Sequence, residues 1–91
     1  MRISEERVTR INASGVKSQV LAAARSGDAV LDFSSVEAVD SSAVAIVLAW
    51  LRVLQKKELQ PCLKGAPEKM LALMRLYGTF ELVEPYVESS S

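Results

Sequence analysis

The amino-acid sequence predicts a single α/β domain, with a mixed, mostly parallel sheet and helices packed on it. Short β-rich runs alternate with helical patterns, and strands joined through helices need crossovers that make them parallel. The 91 residues have the length of one small domain, and no repeat or linker interrupts residues 1–86. Residues 87–91 end in three serines and are expected to form a disordered tail.

The first half of the chain is expected to contain strands on both sides of a helix. Polar and apolar residues alternate over 7–12, which predicts a half-buried strand with Val8 and Ile11 as candidates for its core side. Apolar residues then recur at helical spacing until Gly27, a typical stop signal. The expected elements are an edge strand at 1–4, a strand at 7–12, a helix at 16–25 and a central strand at 29–33.

The second half continues the alternation of helices and strands. Gly65 closes a short β-rich run, Pro67 stands in the first turn of the next helical pattern, and Gly78 follows its end. The expected elements are a long helix at 41–57, a strand at 61–64, a helix at 67–77 and a short final strand at 81–83.

The long helix has one strongly apolar side. At 100° per residue, an arc centred on Ala43 is predicted to face the sheet. Its members are Ala43, Val44, Ile46, Val47, Trp50, Leu51, Val53 and Leu54. Trp50 and the methionines are therefore interpreted as core residues and not as parts of a cofactor pocket.

The opposite side of this helix is small and weakly polar at its start and becomes basic only from Arg52 onward. Such a face is unusual for contact with water alone and suits another protein that packs flat against it. The alternative is a mildly apolar surface without a partner. The residues expected to bind a partner are Ser41, Ser42, Ala45, Leu48, Ala49 and Arg52.

Composition argues against several other functions. Eleven basic and eleven acidic residues cancel, so no overall field attracts nucleic acid or an anionic membrane. Cys62 is the single cysteine and histidine is absent, which argues against a disulfide framework and most zinc sites. The charged N-terminus and the short apolar run at 43–51 predict a cytoplasmic protein that does not insert into a membrane.

The start of the long helix has two interpretations. Asp40 and Ser41 are favoured N-cap residues, so capping alone explains one of them. A phosphoryl group on Ser41 would meet free N–H groups and the positive end of the helix dipole, and would add negative charge to the docking face. The second interpretation makes Ser41 a candidate phosphorylation site.

An enzyme is a third possibility, because Asp32 and Asp40 could both approach the carboxyl edge of the sheet and hold Mg²⁺ there. However, no histidine can act as a base and no glycine-rich phosphate loop precedes a helix. We therefore expect no catalytic residue, no cofactor and no bound metal.

Two adjacent segments resemble the signature of STAS domains, the fold of anti-sigma-factor antagonists. These are Val30-Leu-Asp-Phe-Ser-Ser-Val36 and Val39-Asp-Ser-Ser-Ala-Val44, within a resemblance that covers about residues 7–85. In that family a partner kinase phosphorylates the first hydroxyl of the motif, which corresponds to Ser41. The usual Gly-Leu of the antagonists is replaced here by Ala43-Val44.

A further stretch, Leu73-Met-Arg-Leu-Tyr-Gly78, is similar to the small STAS subunits of Mla phospholipid-transport ABC systems. The resemblance implies an accessory subunit that docks on the cytoplasmic ATPase through the helix beginning at Ser41. It also implies a peripheral location at the inner membrane, reached through that partner. The alternative is an anti-sigma-factor antagonist that binds a serine kinase and is phosphorylated at Ser41.

Overall fold

A computed structural model describes residues 1–88 and confirms the predicted α/β fold, with helices packed on a small parallel sheet. The elements in chain order are β1 (Arg7–Val8), α1 (Ala13–Arg25), β2 (Val30–Asp32), β3 (Ala38–Val39), α2 (Ser41–Lys56), β4 (Cys62–Lys64), α3 (Glu68–Leu76), α4 (Phe80–Val83) and a 3₁₀ helix (Glu84–Tyr86).

The strand pairings among the described residues are all parallel. Strand β1 pairs with β3, and β2 pairs with β4. Isolated bridges extend the second pair on both sides, from Arg2 to Asp32 and from Leu63 to Val87. The N-terminal segment therefore lies along β2 and then, through β1, along β3. The connection between the strands of each pair contains a helix, α1 for β1 and β3 and α2 for β2 and β4, and such crossovers make the paired strands parallel.

The core lies between the sheet and helices α1, α2 and α3. Seven of the eight residues predicted to face the sheet from α2 are buried, and Val53 is half-buried. Trp50 is 1% exposed, and Met70 and Met74 are completely buried, which confirms their interpretation as core residues. The 3.6-residue period could identify this face because a helix on a sheet must bury one continuous stripe.

The strand predicted at 7–12 ends at Val8, and the expectation that Ile11 faces the core is wrong. Ile11 is 92% exposed. The backbone turns because Thr9 N–H donates to Asn12 Oδ1 and the Asn12 amide donates to the Arg7 carbonyl. A local side-chain to backbone network of this kind competes with strand formation. Helix α1 begins directly after this turn, three residues earlier than predicted.

The final strand predicted at 81–83 is also wrong, since these residues belong to α4, which buries Val83 and exposes Leu82. The sheet instead gains Val87, which bridges to Leu63, and the N–H of Glu88 donates to the Leu63 carbonyl. These two residues belong to the expected tail, and its remainder, residues 89–91, lies outside the described part of the chain.

Candidate docking surface at the start of helix α2

Asp40 is the N-cap of α2 and also fastens the neighbouring turn. Its Oδ1 accepts a hydrogen bond from Ser42 N–H at 2.8 Å, and its Oδ2 accepts one from Arg10 N–H at 3.0 Å. The Arg10 N–H, followed by the Ser42 N–H, lowers the pKa of Asp40 against the opposing effect of desolvation. The carboxylate therefore stays ionised at neutral pH and joins the helix start to the β1–α1 turn.

Because Asp40 supplies the cap, the two serine side chains are not needed for that purpose. Ser41 occupies the first position of α2, is exposed, and its hydroxyl hydrogen-bonds no other side chain or backbone group within residues 1–88. Ser42 is half-buried, and its N–H is the group that Asp40 binds. Asp40, and not the hydroxyl of Ser41, therefore caps α2.

The six residues expected to bind a partner all reach the surface of α2. Ser41, Ala45 and Arg52 are exposed. Ser42, Leu48 and Ala49 are half-buried, and Leu48 also packs against the edge of the core. Their accessibility agrees with the predicted outward side, while their role in binding stays a prediction.

Helix α1 adds residues to this surface that the sequence analysis did not anticipate. An open groove of about 340 Å³ runs between the N-terminal parts of α1 and α2. Its lining residues are Ala13, Ser14, Lys17, Ser42, Ala45 and Ile46. Asn12, a favoured N-cap residue type, was the available signal that α1 begins this early.

The other carboxylate considered for metal binding has a structural role. Asp32 accepts hydrogen bonds from the hydroxyl and the N–H of Ser34, and these two contacts lower its pKa, with smaller contributions from Arg2 and Lys64. Asp32 therefore stabilises the turn after β2. Among residues 1–88, no three potential metal-binding side chains cluster together.

Cys62 is half-buried in β4, and its Sγ lies 3.4 Å from Glu88 Oε2. Desolvation, together with this carboxylate, raises the pKa of the thiol. An elevated thiol pKa disfavours the reactive thiolate.

Within the part of the chain that the structure describes, no helix has the length and apolar character required to cross a bilayer.

A capped helix that follows a short strand, is exposed at its start and packs on parallel strands is the arrangement expected of a STAS-fold protein. The particular family follows from the sequence: a family model described as "Mlab, STAS domain" matches residues 3–84, and the chain belongs to this family.

A solved structure of the anti-sigma factor antagonist SpoIIAA in its unphosphorylated form has the same fold, with a TM-score of 0.71. The match covers 99% of this chain and 76% of that chain at 15% sequence identity. No curated protein matches the sequence.

Proposed function

We propose that this chain is a non-enzymatic accessory subunit that binds the cytoplasmic ATPase of a phospholipid-transport ABC transporter. The docking surface consists of the six α2 residues named above and the groove beside them. The chain regulates its partner by occupying this contact, and it reaches the inner membrane only through that partner. Membership of the Mlab STAS family supports the choice of partner.

The accessible first turns of α2 are the structural observation that carries the proposal. Small side chains at Ser41 and Ala45 let another backbone approach closely, and the groove beside Ala45 can receive a protruding side chain. Arg52, two turns further along, gives the far end of the surface a positive charge. A centre of small, uncharged side chains with a charged residue at its edge resembles the usual anatomy of protein–protein interfaces.

The proposal is tested by placing a negative charge on the surface with Ser41→Glu. We expect the Kd for the purified ATPase subunit to rise about tenfold or more, since an unpaired charge would be desolvated at the contact. The fold should persist because an acidic residue in the first turn interacts favourably with the helix dipole. Isothermal titration calorimetry measures the Kd, and Trp50 fluorescence reports the buried core.

Two control variants accompany this measurement. Ser18→Glu puts the same charge on an exposed position of α1 outside the groove, and it should bind as the wild type does. Ser41→Ala removes only the hydroxyl and should also bind normally. If Ser41→Glu binds the ATPase subunit with unchanged affinity, the assigned surface is wrong. If the wild-type chain does not bind the ATPase subunit at all, the assigned partner is wrong.

The second candidate is an anti-sigma-factor antagonist that binds a serine kinase and is phosphorylated at Ser41. Two observations favour it: the hydroxyl of Ser41 is accessible, and the chain shares its fold with SpoIIAA. Incubation with a purified anti-sigma-factor kinase and ATP, followed by mass spectrometry, tests this candidate. Phosphate at Ser41, absent from Ser41→Ala, supports it, whereas no incorporation by the wild-type chain rejects it.

A further inference from the structure

The β1–α1 turn presents the most exposed large apolar side chain of the described residues. Ile11 is 92% exposed, compared with 76% for Leu76, 56% for Leu82 and 51% for Tyr77. The turn lies against the N-cap of α2, because Arg10 N–H donates to Asp40 Oδ2. Ile11 is therefore next to the surface assigned above, and a partner on α2 could also cover it.

The turn that carries Ile11 is held in place by its own hydrogen bonds. Asn12 accepts from Thr9 N–H through its side chain and donates from its amide to the Arg7 carbonyl at 2.7 Å. Its backbone N–H also donates to the Thr9 carbonyl at 3.1 Å. With Asp40 holding Arg10, little conformational freedom remains to be lost on binding. Preorganised apolar side chains of this kind are effective anchors at interfaces.

The surroundings of Ile11 are basic. Ile11 and Asp40 both line an open pocket of about 310 Å³, whose other lining residues are Arg7, Thr9, Arg10 and Asn12. Both arginines are exposed, and Lys17 contributes a third positive charge in the adjacent groove. The negative charge of Asp40 already interacts with two backbone N–H groups.

Apart from Asp40, the acidic residues nearest to these two paired strands in the sequence precede them. Glu6 comes directly before β1 and Glu37 directly before β3, whereas Ile11 and Asp40 follow the other ends of these strands. The combination is therefore an apolar side chain on a fixed turn with cations around it.

We propose that Ile11 is the apolar anchor of the docking surface and inserts into an apolar socket of the partner protein that is bordered by Asp or Glu side chains. Arg7, Arg10 and Lys17 face those carboxylates. This inference rests on the proposed function and extends the surface from α2 to the β1–α1 turn. It identifies the partner surface by its chemistry: an apolar pocket with an acidic border.

The test compares Ile11→Ala with Leu76→Ala, a matched control that truncates another exposed aliphatic side chain on α3. We expect Ile11→Ala to raise the Kd for the purified ATPase subunit about tenfold or more, as for an interface anchor, with most of the change in the dissociation rate. Leu76→Ala should leave the Kd unchanged. Because Ile11 contacts water in the free chain, its truncation should not reduce the free energy of unfolding.

The charge component is tested separately with a double variant, Arg7→Gln and Arg10→Gln. Its association rate should be lower than that of the wild type, and the dependence of that rate on salt concentration should become weaker. An association rate and salt dependence equal to those of the wild type would overturn the acidic border. Binding of the wild-type chain to vesicles of phosphatidylglycerol, lost in the double variant, would instead assign the basic patch to a lipid surface and overturn the inference.

Comparison with the Ser41 variant separates this inference from the proposed function. Weaker binding by Ser41→Glu with unchanged binding by Ile11→Ala would overturn the anchor and keep the α2 surface. Weaker binding by both variants would support both. Unchanged binding by both would reject the entire docking surface.

Discussion

The close approach of β4 to the turn after β2 predicts a large loss of stability in Gly65→Ala. Gly65 has φ +61°, and a Cβ at this position would lie 2.7 Å from Ser34 N and 2.9 Å from Ser34 Cα. The left-handed conformation costs an alanine roughly 1–2 kcal/mol, and forcing two backbones apart costs roughly 1–3 kcal/mol more. We therefore expect the free energy of unfolding to fall by about 2–5 kcal/mol, a large part of the total for a small domain.

Two other glycines provide matched controls. Gly78 has φ +74°, but the space that a Cβ would enter is open to a distance of 4 Å, so Gly78→Ala should lose only the conformational part, roughly 1–2 kcal/mol. Gly15 lies in α1 and also has open space around it, so Gly15→Ala should stabilise the protein by roughly 0.5 kcal/mol through helix propensity.

Urea denaturation followed by Trp50 fluorescence measures all three variants. The difference between Gly65→Ala and Gly78→Ala isolates the close approach to Ser34. Equal losses in these two variants would refute the argument, because the conformational penalty would then account for the whole effect at Gly65.

Two further predictions concern the end of α2 and the turn after β2. Glu58 has φ 57° in the turn that ends α2, where Leu59 N–H donates to the Leu54 carbonyl. Because glycine adopts this left-handed conformation without strain, Glu58→Gly should raise the free energy of unfolding by about 1 kcal/mol. Urea denaturation measures this change, and the control Glu58→Ala should show no such gain. The Ser34 contacts lower the pKa of Asp32 below 3.8, so they stabilise the fold above that pH and this contribution is lost as the pH falls through the folded-state value. Asp32→Asn should therefore flatten the acid limb of a stability-versus-pH curve, and an unchanged limb would contradict this role.

The sequence was sufficient for the features that one local pattern controls. The buried side of α2 follows from helical periodicity, and Asp40 before an apolar run correctly marks its first residue. Strand β2 was recognisable as a short run with Val30, Leu31 and Phe33 between turn residues. In each case, local preference and tertiary packing favour the same structure.

Other features depended on competition between patterns or on distant contacts. The alternation at 7–12 suggested a strand, but the side chain of Asn12 closes a turn and brings Ile11 to the surface. Strand β3 has only two residues, too few for a periodic signal. The groove beside Ala45 exists only because α1 packs against α2, and periodicity within one helix carries no information about its neighbour.

At the start of α2, one side chain stabilises the fold and different side chains form the accessible surface. Asp40 satisfies the helix start and holds the turn that carries Ile11, so its replacement would disturb the cap and the turn together. Loss of binding in an Asp40 variant would therefore not distinguish a direct contact from a local rearrangement. Ser41 and Ile11 have exposed side chains that neither cap α2 nor fill the core. For that physical reason, substitutions at these two positions separate partner binding from folding.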